Sequence, residues 1–495
     1  MDEKFSREPV KARFLANGKS VTLSVANRIA WIVAIATGAV AGSFLLPNSR
    51  AHAETMAQAM AHAYHNNPQL RAARAALRSV DEQAAQAFSN WLPRLSISAD
   101  AGRAFTRQKR EYLTERTRFE TDHRLPAGAS LNLRQNAFRG GRYLYQWRRA
   151  KYNIFAQRAR LAHVEQVVLL NVVRAYMAVF RDRTELQLNR NNENVLARQL
   201  QAARDRFSVG EVTRTDVSQA QARLARARAA TIQAMGNLQA SQASYVSVVG
   251  HLPNQLNPPK LSFDLPEDTD AITQRARQDN PQVLAALWAE RSAREAVRMV
   301  AGELLPTVTL NGQVQRRFDQ LRRSTVNDSA SITANMTIPL YQSGAVMSRM
   351  RSAKQIVFQR LDELRQAQRT AVENATRSHA ALRTARSSVQ AFMAQLQSSR
   401  IALNGVREEA AAGLRTILDT LNAQQELLNA QVNLVRARRN LTVATYELLT
   451  TMGRMNARKL GLRVKHYDPD QHYREVRHKA FGFGKSPPPS SGTEK

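Results

Sequence analysis

The feature that most constrains the fold is an internal duplication. Asn67-Pro68-Gln69-Leu70 returns as Asn280-Pro281-Gln282-Val283, and Leu92-Pro93 returns as Leu305-Pro306 at the same spacing. Phe105 and Phe318 keep that offset of 213 positions (318 − 105). Further on the offset is 203 (413 − 210), joining Ala150-Lys151 to Ala353-Lys354, Gly210 to Gly413 and Gly250 to Gly453. The first copy therefore carries ten extra residues (213 − 203), which fall within 107–128. Insertions are best tolerated in exposed loops, so this charged stretch is expected to be one. A chain of 495 residues could hold several ordinary domains. The duplication argues instead for one elongated unit with two equivalent halves, 54–250 and 269–455, joined by a Pro-rich linker at 251–268.

Each half has the same local grammar. A short helix (55–65; 269–278) stops at Asn-Pro, and the proline suits the first position of the next helix. That helix, of about six turns, runs to Leu-Pro. After Pro93 and Pro306 the apolar period changes to two, through Leu95, Ile97, Ala99 and Ala101, then Leu131 and Leu133. The second half repeats it with Val308, Leu310, Gly312 and Val314, then Ile332, Ala334, Met336 and Ile338. The pattern predicts a hairpin at about 94–139 and another at about 307–340, with loops at 107–128 and 319–329. Strands of about ten residues match a membrane crossing. Very long helical patterns follow at 142–208 and 345–412, each roughly 100 Å long. Helices return over 215–249 and 416–452. Val217, Ala220, Leu224 and Ala227, and Leu421, Leu427, Leu428 and Leu434, recur at coiled-coil spacing. Beyond Leu462 the pattern fails, and 456–495 reads as a disordered basic tail.

The N-terminal 53 residues read as an export signal. A basic stretch precedes an apolar run from Ile29 to Leu46, and Ala51-His-Ala53 forms a cleavage site before Glu54. A retained membrane anchor is the alternative. No later apolar run is long enough for a membrane helix, so membrane residence would require a β-barrel or an interfacial protein. Cysteine is absent, which excludes disulfides, thiol catalysis and cysteine metal sites. The histidines have no ligand spacing, and His466, His472 and His478 are expected to be solvated in the tail. No cofactor, metal or enzymatic motif is expected. The net charge of +32 is compatible with nucleic acid or anionic lipid. Its spread along the helices and the export signal argue against nucleic acid.

Four strands cannot close a barrel, and open edges are forbidden in lipid. Copies of the chain must pool their strands, with the long helices closing into a tube beneath. At this point the sequence resembles the TolC family of outer-membrane efflux and type I secretion channels, over nearly all of 55–455. The motifs are the doubled Asn-Pro and Leu-Pro pairs, Pro339-Leu340-Tyr341-Gln342-Ser343-Gly344, the stretch from Val209 to Val217, and Gly413-x-Arg415-Thr416-x-x-Asp419. The resemblance implies a mainly helical protein with a membrane β-barrel portion. It implies a homotrimer with a twelve-strand outer-membrane barrel in lipid and a periplasmic α-barrel of antiparallel helices. It also implies a periplasmic adaptor (membrane fusion protein) and an inner-membrane ABC or proton-driven transporter. A periplasmic coiled-coil adaptor or structural protein is the alternative reading, and it needs soluble hairpins.

Gly210 and Gly413 mark two helix–helix turns, with Thr and Asp following each at matching places. From residues alone, Arg415 and Asp419 form an ordinary pair one turn apart. The resemblance implies a periplasmic gate at these turns, with Arg415 bonded to Asp216 or Gln199 across helices and Asp419 lining the aperture. The family's second acid is replaced by Asn422, and its aromatic by Ala410, which implies one acidic layer and a looser latch. Trp91, Tyr143, Tyr145, Trp147 and Tyr341 flank the strands as an interface girdle or as packing at the junction.

Overall fold

The computed structural model describes residues 53–111, 117–259, 263, 265–320 and 324–484. Residues 1–52 of the expected signal segment, including Ala51, lie outside the described residues. The order is α1 (Met56–Asn66), α2 (Pro68–Ser89), β1 (Arg94–Ala101), β2 (Ala104–Glu111), β3 (Thr117–Arg124), β4 (Ala127–Arg139), α3 (Arg142–Ser208) and α4 (Arg214–Val249). The second half supplies α5 (Thr269–Asp279), α6 (Pro281–Ala301), β5 (Thr307–Phe318), β6 (Val326–Thr337), α7 (Ala345–Ala411) and α8 (Ile417–Thr451), followed by a short α9 (Gln471–Val476). The protein is mainly helical, with one antiparallel sheet built by both halves.

The Asn-Pro pairs do more than break helices. Asn67 caps α2 by accepting from the Gln69 and Leu70 amides at 3.0 and 3.4 Å, and its Nδ2 donates to the Val248 carbonyl at 2.9 Å. Asn280 caps α6 from the Gln282 amide at 2.9 Å, and its Nδ2 donates to Thr451 at 3.1 Å. Val248 and Thr451 are themselves equivalent, 203 positions apart (451 − 248). Each asparagine therefore fastens the start of one helix to the last turn of the returning helix in its own half. Pro68 and Pro281 follow at the first helical position, where no amide is missed.

These joints surround the main core. It gathers Met56, Met60 and Tyr64 of α1, Leu70 and Leu77 of α2, the middle of α3 from Val168 to Val179, Ile272, Leu382, and the end of α8 with Leu448 and Leu449. The Tyr176 hydroxyl sits between the carbonyls of Glu54 and Asn257, at 2.8 and 2.7 Å. It ties the first described residues to the linker that follows α4.

The sheet has the order β1-β4-β5-β6, antiparallel throughout. The two halves meet at its centre, β4 against β5, with a register shift between Asn136 and Phe138. The register separates two faces. Leu95, Leu133, Gly312 and Ile332 form one row, and Ile97, Leu131, Val314 and Ala330 the next on the same face. The opposite face carries Ser96, Asn132, Gln313 and Ser331, then Ser98, Ser130, Gln315 and Ser329. The apolar rows are well exposed, with Ile97 at 79% and Ile332 at 80%. No described strand pairs with the outer edge of β1 or of β6.

Three expectations need correction. The 107–128 stretch is largely not loop: β2 and β3 pair from Ala104↔Arg124 to Glu111↔Thr117, extending the first hairpin as a two-stranded ribbon. Its charge suggested a loop, yet a ribbon with water on both faces accepts charge. Phe105 meets His123 at 5.0 Å and the Arg107 guanidinium lies 4.8 Å over Phe119. In the second hairpin β6 already begins at Val326, inside the expected loop, and the Asp319 amide donates to the Thr325 carbonyl at 2.9 Å.

The C-terminal segment as far as His478 is also not free chain. Leu462 and Val476 are buried, Arg158 pairs with Asp470 at 2.6 Å, and His472 lies 3.3 Å from the buried Asp81. Burial pushes the Asp81 carboxyl above its ordinary range, and the His472 contact draws it back. A few apolar residues and paired charges thus dock a segment whose composition reads as disordered; residues 485–495 lie outside the described residues. Of the aromatics, Tyr143 is buried at the junction, while Trp91 and Tyr341 are exposed.

At the junction the backbones of Gly140 and Gly302 touch. A Cβ on Gly140, whose φ is +58°, would stand 2.2 Å from the Gly302 carbonyl oxygen. Gly344, with φ +75°, has open space around it. Gly344→Ala is therefore expected to cost only left-handed backbone strain, about 1–2 kcal/mol. Gly140→Ala adds a clash of about 1–3 kcal/mol, and thermal unfolding in detergent should rank the two in that order.

Candidate functional site at the helix-turn tips

The two helix turns are built alike, atom for atom. In the first, Gly210 has φ +80°, its amide bonds to the Phe207 carbonyl at 3.1 Å, and the Glu211 amide reaches Arg206 at 2.9 Å. In the second, Gly413 has φ +78°, its amide bonds to Ala410 at 3.2 Å, and the Leu414 amide reaches Glu409 at 2.9 Å. This pair of bonds closes a helix C-terminus on a left-handed residue that glycine alone adopts cheaply. Both long helices end this way, and both partners restart three residues later.

The restart uses a reciprocal cap. The Thr213 hydroxyl and amide donate to the Asp216 carboxylate at 2.7 and 3.0 Å, and the Asp216 amide donates to Thr213 Oγ1 at 3.2 Å. Thr416 and Asp419 repeat this at 2.9, 3.1 and 3.2 Å. A carboxylate at the third helical position satisfies a donor that the helix cannot. These bonds hold both aspartates below their ordinary range.

This geometry gives the expected residues partners within their own turns. Arg415 goes to neither Asp216 nor Gln199 in the chain; its Nε donates to Glu409 at 2.7 Å, tying the turn to the last turn of α7. Gln199 keeps its buried Oε1 without a hydrogen-bond partner among the described residues. Asp419 is engaged in capping, as is Asp216; the bonds fall on Oδ2 of each, and both residues stay half-exposed at the turn. The Thr-x-x-Asp spacing was legible as a cap, and both acids make it.

Asn422 does hold a cross-helix link. Its Oδ1 accepts from Arg223 Nη2 of α4 at 2.9 Å, joining the two helix pairs of one chain. Just beneath, Leu421 of α8 inserts among Leu196, Leu200, Ala220 and Leu224 of the other pair. Arg407 donates to Gln424 at 2.9 Å within the second pair. Further from the tip the links between α3 and α8 are ionic: Arg436 to Glu185 at 2.9 and 3.1 Å, and Arg174 to Glu447 at 2.7 Å. The contacts weaken from charged pairs to an arginine–amide bond as the tip is approached. Arg223, Arg407 and Glu409 escaped sequence reasoning. Arg223 lies two turns beyond Asp216 on the same helix face, which was the available signal.

The family described as "Outer membrane efflux protein" matches residues 60–251 and 272–454, both halves of the duplication. The chain belongs to the outer membrane efflux protein family. It is 34% identical over 451 residues to the outer membrane efflux protein BepC of Brucella suis, covering 91% of this chain and 96% of that protein. It is 25% identical over 431 residues to the outer membrane protein TolC of Escherichia coli, covering 83% of this chain and 85% of that protein. The fold is that of the Campylobacter jejuni CmeC outer membrane channel, with a TM-score of 0.72 at 19% identity over 85% of this chain and 89% of that one. The protein is thus an outer-membrane channel component and not an enzyme, with its long helices forming the periplasmic part.

The caps give a pH prediction with a definite sign. A lowered aspartate pKa contributes stability that is present above the ordinary value of 3.8 and lost as the pH falls through the lowered one. Hydrogen exchange at the first amides of α4 and α8, corrected for intrinsic rates, should stay flat from about pH 7 to about pH 5. Deprotection in that window would assign opening of the turns to another group. Thr416→Ala should cost about 1 kcal/mol of local protection at any of these pH values.

Proposed function

We propose that three copies pool their sheets into a twelve-strand barrel (three times four strands) through the outer membrane, and that the long helices close below it into a periplasmic tunnel. One observation carries this reading: the sheet has an apolar face, a polar face and two open edges. Lipid tolerates none of the unpaired edge groups, so β1 of one copy pairs with β6 of the next, apolar rows outward. The polar rows then line the bore. An adaptor role, with the hairpins in water, would leave the Leu95 and Ile97 rows solvated and both edges bare.

The tunnel serves as a passive exit duct. An inner-membrane transporter, ABC-type or proton-driven, supplies the energy, and a periplasmic adaptor joins it to the helical end. The relative at 34% identity is named for efflux. Another, at 24% identity over 74% of this chain, is the alkaline protease secretion protein AprF of Pseudomonas aeruginosa. A single duct accommodates either cargo, small molecules or a secreted protein. Comparing drug susceptibility and secreted protein between a deletion strain and its parent separates them.

The membrane reading is tested by extraction. The protein should resist high salt, dissolve in detergent with the mass of three chains, and form discrete pores in planar bilayers. Release by salt as a monomer would support the adaptor reading instead.

The tips set the closed state in this scheme. Asn422→Asp places a carboxylate against Arg223 and converts a neutral link into an ion pair, so resting conductance should fall several-fold. Arg415→Glu sets two carboxylates together at Glu409, so conductance and entry of large antibiotics should rise. Unchanged conductance in both variants would remove these turns from gating.

A further inference from the structure

The C-terminal segment takes a path that neither the bore nor the tips require. It runs beside α2 in the same direction. The Tyr467 amide donates to the Tyr64 hydroxyl at 3.0 Å, and Arg74 lies between the rings of Tyr64 and Tyr467 at 4.5 and 5.2 Å. His472 then reaches Asp81, and the His478 ring meets Phe88 edge-on at 5.1 Å. As the segment advances through 467, 472 and 478, its partners advance through 64, 81 and 88. Phe88 in turn meets Trp91 at 6.0 Å, and the Trp91 carbonyl accepts from Gln135 Nε2 of β4 at 2.8 Å. The segment is therefore led from the main core to the base of the sheet.

There its anchorage ends. Val476 is its last buried residue. The chain continues as Lys479-Ala480-Phe481-Gly482-Phe483-Gly484, with Phe481 at 90% and Phe483 at 109% exposure. Between Glu475 and Glu494 the sequence has no acid, while Arg477, Lys479 and Lys485 are basic. Two bare phenylalanines beside basic residues are unfavourable in water. At the base of membrane strands they face a surface that takes both, because phospholipids offer an apolar layer under anionic headgroups.

We propose that Phe481 and Phe483 insert into the periplasmic leaflet of the outer membrane, with Arg477 and Lys479 on anionic phospholipid headgroups. Each copy then carries an interfacial anchor outside its strands, held in place by the clasp of Asp470 and His472 against Arg158 and Asp81. The inference rests on the sheet lying in the membrane, and its test separates the two.

The chain has no cysteine, so single nitroxide labels report cleanly. Phe481→Cys and Phe483→Cys are labelled in the full-length protein, in vesicles of phosphatidylethanolamine and phosphatidylglycerol, with Ile97→Cys, Ile332→Cys and the exposed Lys465→Cys beside them. At 481 and 483 the ratio of oxygen collisions to nickel-chelate collisions should exceed that at 465 several-fold. Replacing phosphatidylglycerol by phosphatidylcholine should lower it, and an unchanged ratio would overturn the role given to Arg477 and Lys479. Nickel access at 481 and 483 with oxygen access at 97 and 332 overturns the anchor and leaves the barrel standing. Nickel access at all four overturns both. A label at 481 reached by neither collider lies against another copy, which also overturns the anchor.

Discussion

An unpaired backbone amide has nowhere to go in lipid. Each chain offers four strands with two bare edges, and this shortage of partners is the constraint on which the rest of the architecture depends. The edges force copies together, and once copies are together their helical parts must share an axis. Duplication makes this economical in information. The same motif supplies both hairpins, β4 and β5 meet at the seam between halves, and only the β6-to-β1 contact has to form between chains.

The helical part answers a second demand, holding helices of 67 residues in register along great length. Propensity alone does not do that. Side-chain joints do, placed where helices begin and end. Asn67 and Asn280 hold the returning helices at one end of each pair, and the glycine turns close the other. Between them the pairs meet on small residues such as Ala220, Ala227, Ala430 and Ala437, which allow close approach but little interlocking. Specificity therefore falls to a few polar links, Glu185 with Arg436 near the core and Asn422 with Arg223 near the tip. Gly140 against Gly302 does the corresponding work where helix passes into strand.

Much of this was legible because it is local or periodic. The duplication, the alternation of Leu95 with Ile97 and of Leu131 with Leu133, and the length of α3 and α7 are written in one dimension. The features that stayed hidden depend on which distant groups meet. Arg415 looked like a bridge between helices, but Glu409, six positions earlier, stands closer. Asp216 and Asp419 also cap their own helices, each through a threonine three residues before it. The charged stretch at 107–128 read as loop because composition cannot distinguish a loop from a ribbon solvated on both faces. His472 read as solvated because nothing local announces Asp81, which lies 391 positions away.

The distribution of links also bears on where such a tube can open. Near the core, α3 and α8 are joined by charged pairs, and the partly buried one, Arg436 with Glu185, leaves an unpaired charge if broken. At the tip the corresponding joint is a neutral amide on an exposed arginine, over a small apolar cluster centred on Leu421. Opening therefore costs least at the turns and rises steeply toward the core, so the pairs can splay at one end while remaining fixed at the other. The capping aspartates keep each turn intact while this happens, because their bonds lie within a turn and are not stretched when pairs separate. In the proposed gate, rigid turns move on hinged helices, and the link between Asn422 and Arg223 is the joint that has to part.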